Sequence, residues 1–237
     1  MLGQTVVVIG GSAGIGLDTA RRARARGRRH PHRPQSRPPP ARRARTRCTA
    51  HRGLRRHGSG AARAVLPGPA QTDRPRDGHS RRSYYARLAD LDFTKARRAL
   101  DEHLWLTLHV ARDAADKARP GGTLLFITGT GARHPGLGLG IASTLAAALP
   151  ALTANLALEL APVRVNLIAA DFVDTPLSAS LLGDDLEKRR SQLRASLPIG
   201  RVVGPADVAA LAVHVMTNTA RATYDVDGGE QIVSGLE

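Results

Sequence analysis

A single cysteine, Cys48, stands among 237 residues, so no internal disulfide can form and the chain fits a reducing cytoplasm. No basic run precedes the first apolar segment, so no signal peptide is expected. Uninterrupted apolar runs of membrane-spanning length are missing too. The richest apolar window, Ile141 to Pro162, is broken by Ser143, Thr144, Pro150, Asn155 and Glu159, and reads as a buried helix. Acidic residues are scarce beside basic ones, 20 against 35, for a formal net charge of +15. Such an excess commonly marks a nucleic-acid or anionic partner. Its placement argues otherwise. Residues 28–82 hold sixteen arginines and two acids (Asp73 and Asp77), while the remainder holds 19 basic and 18 acidic groups. The body of the chain is close to neutral.

The same segment lacks the material of a core. Its large aliphatics are Leu54, Val65 and Leu66, it has no isoleucine or aromatic residue, and Pro31, Pro34, Pro38, Pro39 and Pro40 crowd its start. Neither period 2 nor period 3.6 is present. Burial of so little apolar surface cannot offset about 1–2 kcal/mol of backbone entropy per residue, so the segment is predicted to be disordered or irregular, without strands. A one-base frame slip explains it. Read one base later in GC-rich codons, Gly27 to Gln35 gives Ala-Asp-Val-Ile-Leu-Thr-Gly-Arg, and Arg76 to Ser83 gives Val-Met-Val-Thr-Ala-Gly-Gly. Both are strand-like runs, and ordinary patterning resumes at Tyr84. The alternatives are an arginine-rich arm that binds nucleic acid and an unfamiliar insertion.

What the chain does contain begins at its start. Thr5-Val6-Val7-Val8-Ile9 is a β-branched apolar run that breaks into Gly10-Gly11-Ser12-Ala13-Gly14-Ile15-Gly16, and a helix-favouring segment, Leu17 to Arg26, follows. A strand, tight turn and helix N-terminus in that order aim free N–H groups and the positive end of the helix dipole at one point, which suits a phosphate or diphosphate. Gly10 is expected to take a positive φ, Gly14 to let the ligand approach the backbone, and Gly16 to let the helix pack closely on the strand. The predicted cofactor contacts are Gly10, Ser12, Ala13, Gly14, Ile15 and Gly16. A purely structural turn is the competing reading.

The spacing Gly-x-x-x-Gly-x-Gly resembles the short-chain dehydrogenase/reductase family. Further segments agree in order. Leu156 to Pro162 is similar to the end of the family's long central helix, and Val163 to Ile168 to its sixth strand. Phe172 to Leu177 resembles the cofactor loop, and Tyr224 to Gly229 the last strand and its turn. The resemblance covers residues 1–27 and 84–237. It implies an α/β fold, one Rossmann-like domain with a doubly wound parallel sheet over residues 1–237 and sheet order 3-2-1-4-5-6-7. If residues 28–82 carry no strand, the first strand loses both neighbours. Remaining elements are expected as helix Phe93–Ala118, strand Gly122–Thr128 and helix Gly140–Ala161 with a kink at Pro150. Strand Val163–Ile168, a substrate lid over Leu177–Leu197, helix Pro205–Thr217 and a last strand near Thr223–Val226 follow.

The family moves its proton with a tyrosine and a lysine four residues on, assisted by a serine and an asparagine. The chain's three tyrosines, Tyr84, Tyr85 and Tyr224, are followed four residues later by Leu88, Ala89 and Gly228, so the Tyr-x-x-x-Lys motif is missing. The resemblance puts Ala142 at the tyrosine, Ala146 at the lysine, Gly129 at the serine and His103 at the asparagine. No catalytic residue is therefore nominated. Three readings stay open: a reductase with another proton source (water, Thr130, Ser143 or His134), a nucleotide binder without turnover serving as sensor or scaffold, and a structural protein. Ser143 and Thr144 read first as helix caps. Thr175 matches the threonine that holds the nicotinamide carboxamide, or else pairs its own loop. Asp171 adds charge beside the expected nicotinamide. The shifted-frame Gly-Arg favours NADP(H) over NAD(H). A small-molecule substrate and a homo-oligomer through helix Gly140–Ala161 are expected, with neither nucleic acid nor membrane as partner.

Overall fold

The structure, a computed structural model, describes residues 5–9, 11–26, 48–51, 62–65, 84–131, 136–219 and 222–233. The opening apolar run forms β1 (Thr5–Ile9), since β-branched side chains sit well on a pleated backbone. The glycine turn feeds α1 (Gly14–Arg26). Two short strands, β2 (Cys48–His51) and β3 (Ala62–Val65), pair in parallel with β1, one on each side. This corrects the expectation that residues 28–82 carry no strand and leave β1 unpartnered. The ladder is made of main-chain N–H and C=O groups, which any non-proline residue supplies, so hydrophobic periodicity is not required for it. The strands of a shifted frame, at residues 27–35 and 76–83, lie outside the described residues.

Past the glycine-free turn (Leu88–Asp90), Asp92 starts the next helix: its carboxylate accepts from Thr94 N at 2.9 Å and Lys95 N at 3.1 Å. The single helix expected over Phe93–Ala118 is divided into α2 (Phe93–Leu100), a π turn (Asp101–Trp105) and α3 (Leu106–Ala115). Strand β4 (Thr123–Gly129), helix α4 (Gly140–Glu159) and strand β5 (Arg164–Ala170) come next. The chain then forms α5 (Pro176–Leu182), α6 (Leu186–Ser196), α7 (Pro205–Thr217), β6 (Thr223–Val226) and α8 (Glu230–Val233). Pro150 lies inside α4, which is one continuous helix.

All strand pairs are parallel, in the order β2-β1-β3-β4-β5-β6. The chain winds outward from β1 to β2 and then returns to the other side through β3. This is the doubly wound topology, in which the crevice lies beyond the carboxyl ends of the strands where winding reverses. Alternate side chains leave the sheet on opposite faces. Leu125 and Ile168 join Val6, Val8 and the α7 residues Val208, Ala212 and Met216 on one face. Leu124, Phe126, Val165 and Leu167 join Val110 of α3 and Leu149 and Leu156 of α4 on the other. Both faces are covered, which is why β4 and β5 read as nearly unbroken apolar runs.

Two polar residues lock β5 in place. Arg164 is buried and donates to the carbonyls of Val215 (2.9 Å) and Met216 (3.2 Å), in the negative last turn of α7. Asn166 is fully buried, accepts from Ala222 N at 3.0 Å and donates to Thr123 Oγ1 at 3.4 Å. Helix α4 is long and apolar enough by length and composition to cross a membrane. Here its Leu145, Leu149 and Leu156 side is buried, where the helix packs on β5 and β4.

Candidate functional site

The carboxyl ends of β4 and β5 open into a cavity of about 480 Å³, walled by α3, α4, α5 and the π turn. Its floor meets the glycine turn. Gly14 has φ +51°, and a Cβ there would lie 3.4 Å from Thr175 Cγ2, so the turn and the loop before α5 are in close approach. The positive φ falls on Gly14; Gly10, where it was expected, lies outside the described residues. Gly11 is buried, Ser12 and Ala13 are exposed, and Ile15 lines the cavity. The first-turn N–H groups of α1, around Ile15 and Gly16, have no partners within the helix. A cradle of main-chain donors without side chains fits a dinucleotide's diphosphate.

Thr175 lines the cavity and caps α5: its hydroxyl accepts from Ser178 N at 3.2 Å, and its own N–H donates to Ser178 Oγ at 2.8 Å. The loop is pinned further by Arg190 of α6, which donates to Asp174 at 2.7 Å.

Gly129, Ala142, Ala146 and His103, which come from three separate elements, all line this cavity. Ala142 and Ala146 are one turn apart on α4 and face it together. A Cβ on Gly129 would have one heavy atom within 4 Å, the Ala170 carbonyl oxygen at 3.8 Å. The ring of His103, in the π turn, bonds the Ala99 carbonyl through Nδ1 at 2.8 Å, so Nδ1 carries the proton. None of Gly129, Ala142 and Ala146 offers a polar side-chain atom.

The other proton sources fare unequally. Ser143 Oγ donates to the Gly131 carbonyl at 2.7 Å and Thr144 Oγ1 to the Gly140 carbonyl at 2.8 Å. Both hydroxyls thus serve carbonyls, and neither caps free N–H groups as their position near the helix start suggested. His134 lies outside the described residues. Thr130 is buried, lines the cavity and hydrogen-bonds Asp171.

Asp171 follows β5, with its N–H donating to the Val226 carbonyl at 3.3 Å and its side chain in the cavity wall. Burial pushes its carboxyl up to about 7, and a hydrogen bond with the facing Glu230 carboxyl adds to the rise. Arg189 and Thr130 pull the other way. Arg189 of α6 donates to Glu230 at 2.9 Å, while Asp227 accepts from Gly229 N at 2.9 Å and so fixes the turn that presents Glu230. Sequence reasoning marked Asp171 as a local departure but missed Glu230 and Arg189. These three are distant in the chain and meet only through the fold. Among the described residues no group of three His, Cys, Asp or Glu side chains is placed to hold a metal ion.

Residues 78–230 match a family model described as enoyl-(acyl carrier protein) reductase. Over 119 residues the chain is 36% identical to dehydrogenase/reductase SDR family member 4 of Sus scrofa, covering 49% of this chain and 40% of that one. It is 33% identical over 118 residues to the 4-formylbenzenesulfonate dehydrogenase TsaC1/TsaC2 of Comamonas testosteroni, covering 47% of each. The matches thus span less than half the length of these relatives. A crystal structure of a small-chain dehydrogenase in complex with NADPH superposes with a TM-score of 0.72 at 21% identity, over 97% of this chain and 99% of that one. The glycine turn, the parallel sheet and the family match over most of the chain agree: it belongs to the short-chain dehydrogenase/reductase family.

Proposed function

We propose that the protein is an NAD(P)(H)-dependent oxidoreductase acting on a small carbonyl or alcohol, with NADP(H) favoured over NAD(H). The observation that carries this is the meeting of the α1 turn and the β4–β5 cavity: Ile15, Thr175, Gly129 and Ala142 border one space. The dinucleotide, when bound, supplies or accepts a hydride. The chain's own part is to hold the diphosphate on the α1 N–H groups with Gly10, Ser12, Ala13, Gly14, Ile15 and Gly16, and to steady the nicotinamide end with the Thr175 loop. Leu106, Leu139 and Leu149 make the substrate side apolar and keep water from the reacting carbon.

A second reading, an inert dinucleotide-binding sensor or scaffold, is favoured by the loss of every polar side chain at Gly129, Ala142 and Ala146. We also propose a homo-oligomer working in the cytoplasm, with neither membrane nor nucleic acid as partner. Exposed Phe93, Trp105 and Leu158 around α2, the π turn and α4 supply apolar surface for such contacts. Incubating the protein with NADPH and a panel of aldehydes and ketones separates the two readings. Oxidation of NADPH that depends on the carbonyl supports the enzyme; saturable binding with no oxidation across the panel supports the sensor.

A further inference from the structure

The cavity has lost a tyrosine and a lysine, yet it holds a different acid at its sheet end. Asp171 and Thr130 emerge side by side from β5 and β4, whose last paired residues are Ala170 and Gly129. Both line the cavity, with Thr130 3% exposed. Behind Asp171 stands Glu230, whose side chain is 19% exposed and bound to Arg189. Burial disfavours the Asp171 carboxylate, and the Glu230 carboxyl beside it adds to that, so Asp171 holds its proton more tightly than a free aspartate.

We propose that Asp171 is the proton donor of this cavity, delivering its proton to a ligand oxygen. This rests on the reductase reading. In the step, a hydride from the reduced dinucleotide adds to the carbonyl carbon, and the C=O π pair becomes an O–H bond using the Asp171 proton. The products are the alcohol, the oxidised dinucleotide and the Asp171 carboxylate. Thr130 Oγ–H and Arg189 stabilise that carboxylate, and a proton from solvent restores the acid. Raised to about 7, the group is an acid strong enough to give its proton yet still protonated near neutrality.

The groups facing Asp171 define its titration. They are Glu230 on α8, Arg189 on α6 and the Thr130 hydroxyl beyond β4. The nearby Asp174 is neutralised by Arg190, and Asp227 is spent on main-chain N–H groups at Gly229 and Gln231. Glu102 and His103 also line the cavity. Burial first, and Glu230 second, raise Asp171, while Arg189 and Thr130 oppose them.

The test pairs a ligand-free readout with a kinetic one. Carbon NMR of protein labelled at aspartate carboxyls is expected to show one carboxyl titrating near neutrality, absent in Asp171→Asn. Titration of Asp171 in the ordinary aspartate range overturns the proposal. Single-turnover oxidation of NADPH by 4-nitrobenzaldehyde is expected to slow as pH rises through about 7. Asp171→Asn should be roughly 10²-fold slower and lose that pH dependence, because the amide keeps the shape but has no acidic proton. Glu230→Gln should move the decline to lower pH while retaining the rate in acid, since the like charge is gone. If Asp171→Asn keeps the wild-type rate and profile, the proton donor is wrong and the reductase reading stands. If the wild-type protein never oxidises NADPH with any carbonyl, both fall.

Discussion

A carboxyl group buried against a second carboxylate holds its proton more tightly in the folded chain than in the unfolded one, and Asp171 is such a group. Its folded value, about 7, lies above the unfolded 3.8, so the folded state carries the extra proton between them. The associated stability is fully present below the unfolded value and is lost as pH rises to about 7. Asp171→Asn is thus expected to stabilise the protein at about pH 8 by on the order of 1–2 kcal/mol, after allowing for solvent screening, and to change little near pH 4. Urea unfolding of both proteins at the two pH values checks this; an equal effect at both would exclude the buried acid. Asp171 itself was visible in the sequence as a charge beside the expected nicotinamide. Its partners were not, because no local pattern links Asp171 to Arg189 and Glu230. Of the two readings of Thr175, the pairing with its own loop is seen in its cap of α5, and the residue also lines the cavity.

Among elements, those with strong periodicity or clear stops were readable. Helix Pro205–Thr217 starts at a proline and ends before Asn218, as its sequence indicates. The π turn at Asp101–Trp105 was not, since one extra residue per turn leaves no mark on an apolar pattern that continues through it. β2 and β3 were missed for a different reason: strand pairing is a main-chain ladder that does not require an apolar period in the sequence. The tie between β5 and α7 was equally hidden, because a basic residue opening a strand ordinarily points to solvent. Arg164 instead buries its charge against the α7 carboxyl end. Arg164→Ala removes its bonds to the Val215 and Met216 carbonyls, at a cost of about 2–3 kcal/mol. Thermal and chemical unfolding should register it, and a change under about 0.5 kcal/mol would mean that the bonds contribute nothing net.

For the molecule as a whole, the family resemblance predicted a doubly wound parallel sheet, and the order β2-β1-β3-β4-β5-β6 agrees with it, with strands on both sides of β1; the strand expected beyond β2 is not among the described residues. Gly129, Ala142 and Ala146, where the resemblance puts the family's serine, tyrosine and lysine, line the cavity without a polar side-chain atom. Gly129 has room for a side chain, and Ala142 and Ala146 share one helix face over the cavity. Installing Gly129→Ser, Ala142→Tyr and Ala146→Lys together should raise carbonyl-dependent NADPH oxidation by about 10²–10⁴-fold, the usual worth of positioned acid–base help. A folded triple variant that gains nothing would show that the cofactor and carbonyl do not meet beside these residues.

All of this depends on a dinucleotide resting on the turn that begins α1. Isothermal titration of NADPH into the wild-type protein and into Gly14→Ala measures that directly. A side chain at Gly14 must adopt φ +51°, a strained backbone for any residue but glycine, and would touch Thr175, so the wild type should bind saturably and the variant at least tenfold more weakly (roughly 1.4 kcal/mol). No heat of binding in the wild type at millimolar NADPH, or equal affinity in the two proteins, would contradict the account.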